Sequence, residues 1–409
     1  MDTMMLRVLR GLLADAMATI DARIAAEVPV SPGPVDPPVE PGPVDPPAPP
    51  VDPDPVDPAP VDPPAPPVEP PTPDPVPVPP VVGGAVAKSV ADIVAMIKPG
   101  GTVVVRKDAY GPLVLSSQAA TMCEIVAEDP SDPAVFTSIQ FKGARNLGIS
   151  GFRVCPDKGA AKKTSQSYLV YGDQATSGIV LENLTIEGRD DAADCMDWAK
   201  ADWLAWCWSG IQFAGPGNIA RLCALSGVNF GLSTIAPDNV FSSNILRGVS
   251  GDGIRLNGDR CVARDNIASD FVLVDANHPD AIQAFGKRDS ATGSYADLTG
   301  LVIEGNQFIE WTERADNPLR AKMQGIGGYN GRWIGASVRR NRILTTSFTG
   351  ISVGNLVNGA VEDNYFGNVD KIKADCARFN VKGSGSSIVR NQAPKYLSPV
   401  DATNIVAPF

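Results

Sequence analysis

Residues Ser250–Gly286 read SGDGIRLNGDRCVARDNIASDFVLVDANHPDAIQAFG, and one short phrase occurs in them twice. Asp252-Gly253-Ile254-Arg255-Leu256 is answered by Asp280-Ala281-Ile282-Gln283-Ala284, with Asp265-Asn266-Ile267 between them. The first phrase returns as Ser209-Gly210-Ile211-Gln212-Phe213, Phe230-Gly231-Leu232-Ser233-Thr234, Gln324-Gly325-Ile326 and Thr349-Gly350-Ile351-Ser352-Val353. The asparagine returns at Asn183, Asn244, Asn306, Asn341, Asn364 and Asn391, with Cys223 in one slot. Where nothing is inserted the step is 21 to 23 residues (Ser209 to Phe230 to Asp252; Asn341 to Asn364). A period of that length, carrying two or three short apolar strands, is the signature of a β-solenoid.

Parity assigns the faces of the repeat. Ile211, Phe213, Ile254, Leu256, Ile282, Ile351 and Val353 share one column, which must point inward, and Gln212, Ser233, Arg255, Gln283 and Ser352 form the polar column pointing out. Asparagines at one turn position can stack and bond the neighbouring backbone, so that ladder is read as structural. The ends of such a coil are sheet edges that need covering. Residues Tyr396–Phe409 are expected to cap the second one.

The rest of the chain divides by composition. Residues 29–82 contain 26 of the 38 prolines, nine acidic residues and no basic one, so the net charge of −11 leaves only −2 elsewhere. Proline fixes φ and removes donors, which makes this segment an extended polyproline II spacer. Residues 1–28 carry a helical apolar stripe (Leu6, Leu9, Leu13, Met17, Ile20, Ile24) and read as a docking or oligomerisation helix, with a secretory signal as the alternative that Asp15 and Asp21 disfavour. Residues 83–409 form the folded domain. The charge balance gives no reason to expect a nucleic-acid partner, and no run of 18 apolar residues suggests membrane insertion. Seven cysteines without a CxxC pair, and a single histidine, argue against zinc and thiol-redox sites.

Ser89 can cap a helix over Val90–Lys98, which stops at Pro99-Gly100-Gly101 before a strand at Thr102–Val105. The helix followed by KPGGTVVVRKDAYGPLVL (Lys98–Leu115) resembles the opening of the pectate-lyase-like β-helix proteins. That resemblance implies an all-β fold: a single-stranded right-handed parallel β-helix with an N-terminal capping helix. The phrases GDGI (Gly251–Ile254) and HPDAIQ (His278–Gln283) resemble the aspartate surroundings of polygalacturonases, whose Gly-His-Gly and Arg-Ile-Lys phrases are absent here.

Chemistry is expected at one corner of the coil. From the asparagine slot to the Gly-Ile slot is 7 or 8 residues in three repeats, but 26 from Asn183 to Ser209, 14 from Asn266 to Asp280 and 18 from Asn306 to Gln324. The expansions, Glu187–Trp208, Ser269–Pro279 and Glu310–Lys322, hold or border five of the six tryptophans and contain His278. Asp252 and Asp280 occupy one slot on successive rungs, about 4.8 Å apart, so they can split into an acid and a base. The alternative is that each aspartate only makes a turn hydrogen bond. The expected catalytic residues are Asp280, Asp252 and His278. The expected substrate contacts are Arg255, Phe230, Ser233, Trp203, Trp206, Asp275 and Gln283, in a notch between the first expansion and the other two. The acidic run Asp190, Asp191, Asp194 and Asp197 offers oxygen ligands for calcium, but its spacing is not that of an EF-hand, so a solvated loop and no cofactor are expected.

A docking helix, a proline spacer and a β-helix together resemble phage tailspikes and virion-attached fibres. The resemblance implies a virion protein, usually homotrimeric, held to the particle through its N-terminus and binding, with or without cleaving, a host cell-surface polysaccharide. The alternatives are a secreted bacterial polysaccharide lyase or hydrolase and a purely structural spike.

Overall fold

The computed structural model describes residues 86–157, 167–313, 317–370 and 376–406, so the expected N-terminal helix and the proline-rich segment lie outside the described residues. The coil is a right-handed parallel β-helix: successive turns each lay strands on three long parallel sheets. The first sheet starts at Val86–Ala87 and ends at Ser387–Val389, the second contains the Gly-Ile phrases, and the third runs from Ala109–Tyr110 to Ile405–Val406.

Register confirms the repeat. Ile211 pairs with Leu232, Leu232 with Ile254, Ile254 with Ile282, Ile282 with Ile326 and Ile326 with Ile351, all parallel and all in the second sheet. Each of these side chains is fully buried, as the inward column requires. Burial of such a column on all three sheets makes one continuous apolar core, with rings stacked inside it such as Phe213 and Phe241 at 6.0 Å.

The asparagines form the ladder read from the sequence. Asn266 Oδ1 accepts the backbone N–H of Asn244 at 3.1 Å and its side-chain amide at 2.9 Å, and the pattern repeats from Asn266 to Asn306, Asn341, Asn364, Asn391 and Asn404. Asn183 is a correction. Thr185 pairs with Ala224, which puts Leu184 in the ladder slot and Asn183 one residue earlier. There its φ is +53°, a left-handed conformation that asparagine tolerates.

Both ends are closed locally. The helix is Val90–Met96, two residues shorter than expected; Ser89 Oγ accepts the Asp92 N–H at 3.0 Å and Ile93 is buried against the first turn. At the other end Ile405–Val406 pairs with Gln392–Ala393, and Tyr396 packs on Phe379 with ring centroids 5.1 Å apart.

Candidate active site

The three expansions do meet at one corner, but they do not flank a notch. They close on each other in a second, smaller apolar core of Cys195, Trp198, Trp203, Cys207, Val272, Val274 and Trp311. The backbone of the third sheet explains why. Gly227, Gly248 and Asp270 lie at one register position with φ of +60°, +67° and +64°. The two glycines have no side chain to keep neighbours away, so Trp198 and Ala192 settle on Gly227, and Cys195 and Trp203 on Gly248. The Asp270 carboxylate instead accepts Arg247 Nε at 3.3 Å and the Thr312 N–H at 2.7 Å. Asn317 of the third expansion donates to Met196 O of the first at 3.3 Å, spanning the unexpanded rungs. The expected gap is filled. Trp203 is fully buried, so both its faces are committed to packing and it offers no stacking surface; Trp206 is partly exposed. Asp191 of the acidic run is ion-paired with Arg189 and accepts the Trp198 indole N–H at 3.0 Å. Among the described residues no group of three or more His, Cys, Asp or Glu is placed to hold a metal.

The outer face of the second sheet is left open by this packing. Its outward register positions are Gln140, Tyr171, Gln212, Ser233, Arg255, Gln283, Gly327, Ser352 and Asn380. Asp252 and Asp280 sit where the chain turns the corner into this sheet, and their carboxyls meet the residues three places on. Arg255 Nε donates to Asp252 Oδ2 at 2.5 Å, and Gln283 Nε2 donates to Asp280 Oδ2 at 2.6 Å. The rungs are tied directly: the backbone N–H of Asp280 donates to Asp252 Oδ1 at 3.0 Å.

Both carboxyls are buried, with relative exposures of 1% for Asp252 and 0% for Asp280. Asp280 Oδ1 has no hydrogen-bond partner; His278 Nδ1 lies 3.9 Å from it, on a side chain that is 58% exposed. Burial, and then the neighbouring Asp252 charge, push the Asp280 carboxyl up to about 8, against the opposing effects of Gln283 and Arg255. Burial also raises Asp252, opposed by Arg255. The pair therefore holds a proton at neutral pH, and its remaining negative charge faces the Arg255 guanidinium.

Arg255, Phe230, Ser233, Gln283 and His278 all surround the carboxyl pair. Phe230 is covered by the Arg255 guanidinium, whose carbon lies 3.6 Å from the ring centroid. Ser233 is buried beneath Tyr168, with which it hydrogen bonds. Asp275 is exposed and accepts the Asn277 N–H at 2.8 Å, a turn bond. Two residues were missed. Tyr168 closes the N-terminal side of the cluster, and burial raises its hydroxyl. Tyr329, one rung beyond Asp280, hydrogen bonds Gln324, and burial followed by the Asp280 charge raises its hydroxyl as well.

No known family model matches the chain, and no curated protein matches it in sequence. Solved structures similar to it include a mannuronic-acid-specific family 6 polysaccharide lyase from the human gut microbiota (12% identity, 78% of this chain and 88% of that one, TM-score 0.38). A tailspike protein of an E. coli bacteriophage, in complex with a hexasaccharide, shares 12% identity over 78% of this chain and 56% of its own, with a TM-score of 0.42. The mannuronan C-5 epimerase A-module of Azotobacter vinelandii shares 13% identity over 78% and 94%, with a TM-score of 0.41.

Proposed function

We propose that this chain is a tailspike-like, virion-associated protein whose coil binds a host cell-surface polysaccharide on the outer face of the second sheet and hydrolyses it. The observation that carries the enzymatic part is Asp280 Oδ1, a buried carboxyl oxygen without a hydrogen-bond partner beside a second buried carboxyl. Asp280 is the proton donor: its proton passes to the glycosidic oxygen as the bond from that oxygen to the anomeric carbon breaks. Water from solvent then adds to the anomeric carbon, and the proton it releases restores the carboxyl. Asp252 has both oxygens engaged, by Arg255 and by the Asp280 N–H, so its role is electrostatic: it keeps the proton on Asp280 and faces the developing positive charge. His278, exposed and 3.9 Å from Asp280 Oδ1, gives way to the sugar chain that reaches the acid.

Binding without cleavage is the second reading, favoured by the low exposure of both carboxyls. Incubation with purified surface polysaccharides separates the two: new reducing ends that disappear in Asp280→Asn support hydrolysis, unsaturated uronates indicate elimination, and neither product leaves a binding protein. Attachment through residues 1–28, a proline spacer and a homotrimeric coil complete the proposal, supported by the apolar stripe and the proline repeats. Labelling particles with antibody to the coil tests the virion role, a secreted enzyme being the alternative; mass measurement in solution tests the trimer.

A further inference from the structure

We infer that the face takes a neutral, hydroxyl-rich glycan laid across the rungs, with one sugar ring stacked on Tyr329; this rests on the polysaccharide reading above. The outward column is interrupted at one rung, where Gly327 stands between Gln283 and Ser352. Tyr329 uses that gap. Its ring atoms Cε2, Cζ and Cδ2 lie 2.5, 3.1 and 3.3 Å from where a Cβ on Gly327 would be, so the ring rests on the glycine and any side chain there would lift it. The hydroxyl is anchored to Gln324 Oε1, at the start of the same strand. The ring is therefore held against the glycine and by its hydroxyl, yet the residue is 43% exposed. An aromatic ring held in place and partly open to solvent is what the apolar face of a pyranose stacks on.

Its position supports the same use. Gln324 pairs with Asp280, so the ring lies one rung, about 4.8 Å, beyond the carboxyl pair. Among the described residues the exposed large hydrophobic side chains include two aromatic rings, Tyr329 and Phe348. Phe348 directly precedes Thr349, which lies on the rung after Gln324. Both rings thus lie on the same side of Asp280, and the sugar chain extends from the acid toward the C-terminal end of the coil.

The chemical class follows from the column itself. Gln140, Gln212, Gln283, Ser352 and Asn380 offer amides and a hydroxyl, which match sugar hydroxyls as both donors and acceptors. Arg255 is the charged member of the column, and it is already paired with Asp252 and stacked on Phe230. A polyuronate would bring a carboxylate on each sugar to a face with no cation of that column left to meet it.

The test uses the full chain and a panel of purified bacterial surface polysaccharides, half neutral and half uronate-rich, with affinity measured at low and high salt. Expected is binding of a neutral polymer with affinity that changes little with salt, and about tenfold weaker binding in Tyr329→Ala. Gly327→Ala, which unseats the ring, should reproduce that loss, and Tyr329→Phe, which keeps the ring, should bind within about threefold of wild type. Preferred binding of a uronate-rich polymer, falling steeply with salt, overturns the assignment of class. A neutral polymer bound equally by wild type and Tyr329→Ala, or lost equally in Tyr329→Phe, overturns the stacking platform while leaving the polysaccharide reading standing. Failure of every polymer to bind overturns both.

Discussion

Replacing Asp280 by asparagine removes a proton-holding group with almost no change in shape. The Gln283 amide can still donate to the remaining oxygen, and the backbone N–H to Asp252 Oδ1 is untouched. The carboxyl is held at about 8 rather than the usual 3.8, so the folded protein binds a proton that the unfolded chain has released over that interval. Stability from this group is fully present below about pH 4 and is lost as pH rises through about 8. A rise of roughly four units corresponds to about 6 kcal/mol, an upper bound because Arg255 and solvent respond to the charge as it forms, so a few kcal/mol is the expected loss. Asp280→Asn has nothing to ionise there. Its melting temperature should match that of wild type near pH 4 and exceed it by several degrees near pH 9, while glycan cleavage falls by roughly 10²–10⁴-fold and binding is retained. The measurement is a series of thermal melts of both proteins from pH 4 to 9. Parallel curves across that range would refute the reasoning, because they would mean that Asp280 is ionised throughout and is no proton donor.

Trp203→Ala should destabilise the corner by about 3–5 kcal/mol, seen as faster proteolytic nicking within Glu187–Trp208, because Trp203 is a fully buried member of the second core. Asn306→Ala removes the acceptor for the Asn266 N–H and side-chain amide and the donor to Ala263 O, and should cost roughly 3 kcal/mol or more in urea melts. Deleting half of the proline repeats within 29–82 should leave the melting temperature of the coil unchanged, as expected of a spacer; a clear drop would show that the segment packs on the coil.

The fold was legible because a coil repeats its physics. Each turn needs an inward apolar column and a satisfied turn, and Ile211, Ile254, Ile282 and Ile351 repeat that need at a readable interval. The slip at Asn183 has a local cause: the left-handed residue just before the ladder accepts Asn or Asp as readily as the ladder itself, as Asp265 and Asp363 also show. The tryptophans misled for another reason. Clustered aromatic residues at an expanded corner serve a binding surface or a second core equally well, and only the partner surface decides. That surface was written in Ser226-Gly227-Val228 and Arg247-Gly248-Val249, two glycines inside strands where a close approach is needed. Tyr329 was missed because it lies beyond the repeated phrase; its signal is the glycine that breaks the polar column at position 327.

The carboxyl pair owes its chemistry to the rigidity of that repeat. Asp252 and Asp280 each precede an inward isoleucine by two residues, Ile254 and Ile282, and those two are paired in register and fully buried. On a free loop two carboxylates would relieve their repulsion by moving apart. Here the spacing is set by the sheet at about 4.8 Å, and a shift of either rung would pull its isoleucine from the core and its asparagine from the ladder. Asn266 is part of that ladder between the two aspartates, bonded to Asn244 on one side and Asn306 on the other. Repulsion that cannot be relieved by movement is relieved by protonation, and Asp280, whose Oδ1 has no hydrogen-bond partner, is the member that takes the proton. A carboxyl that holds its proton near neutral pH therefore arises from repeating one residue in a slot that the core does not allow to drift.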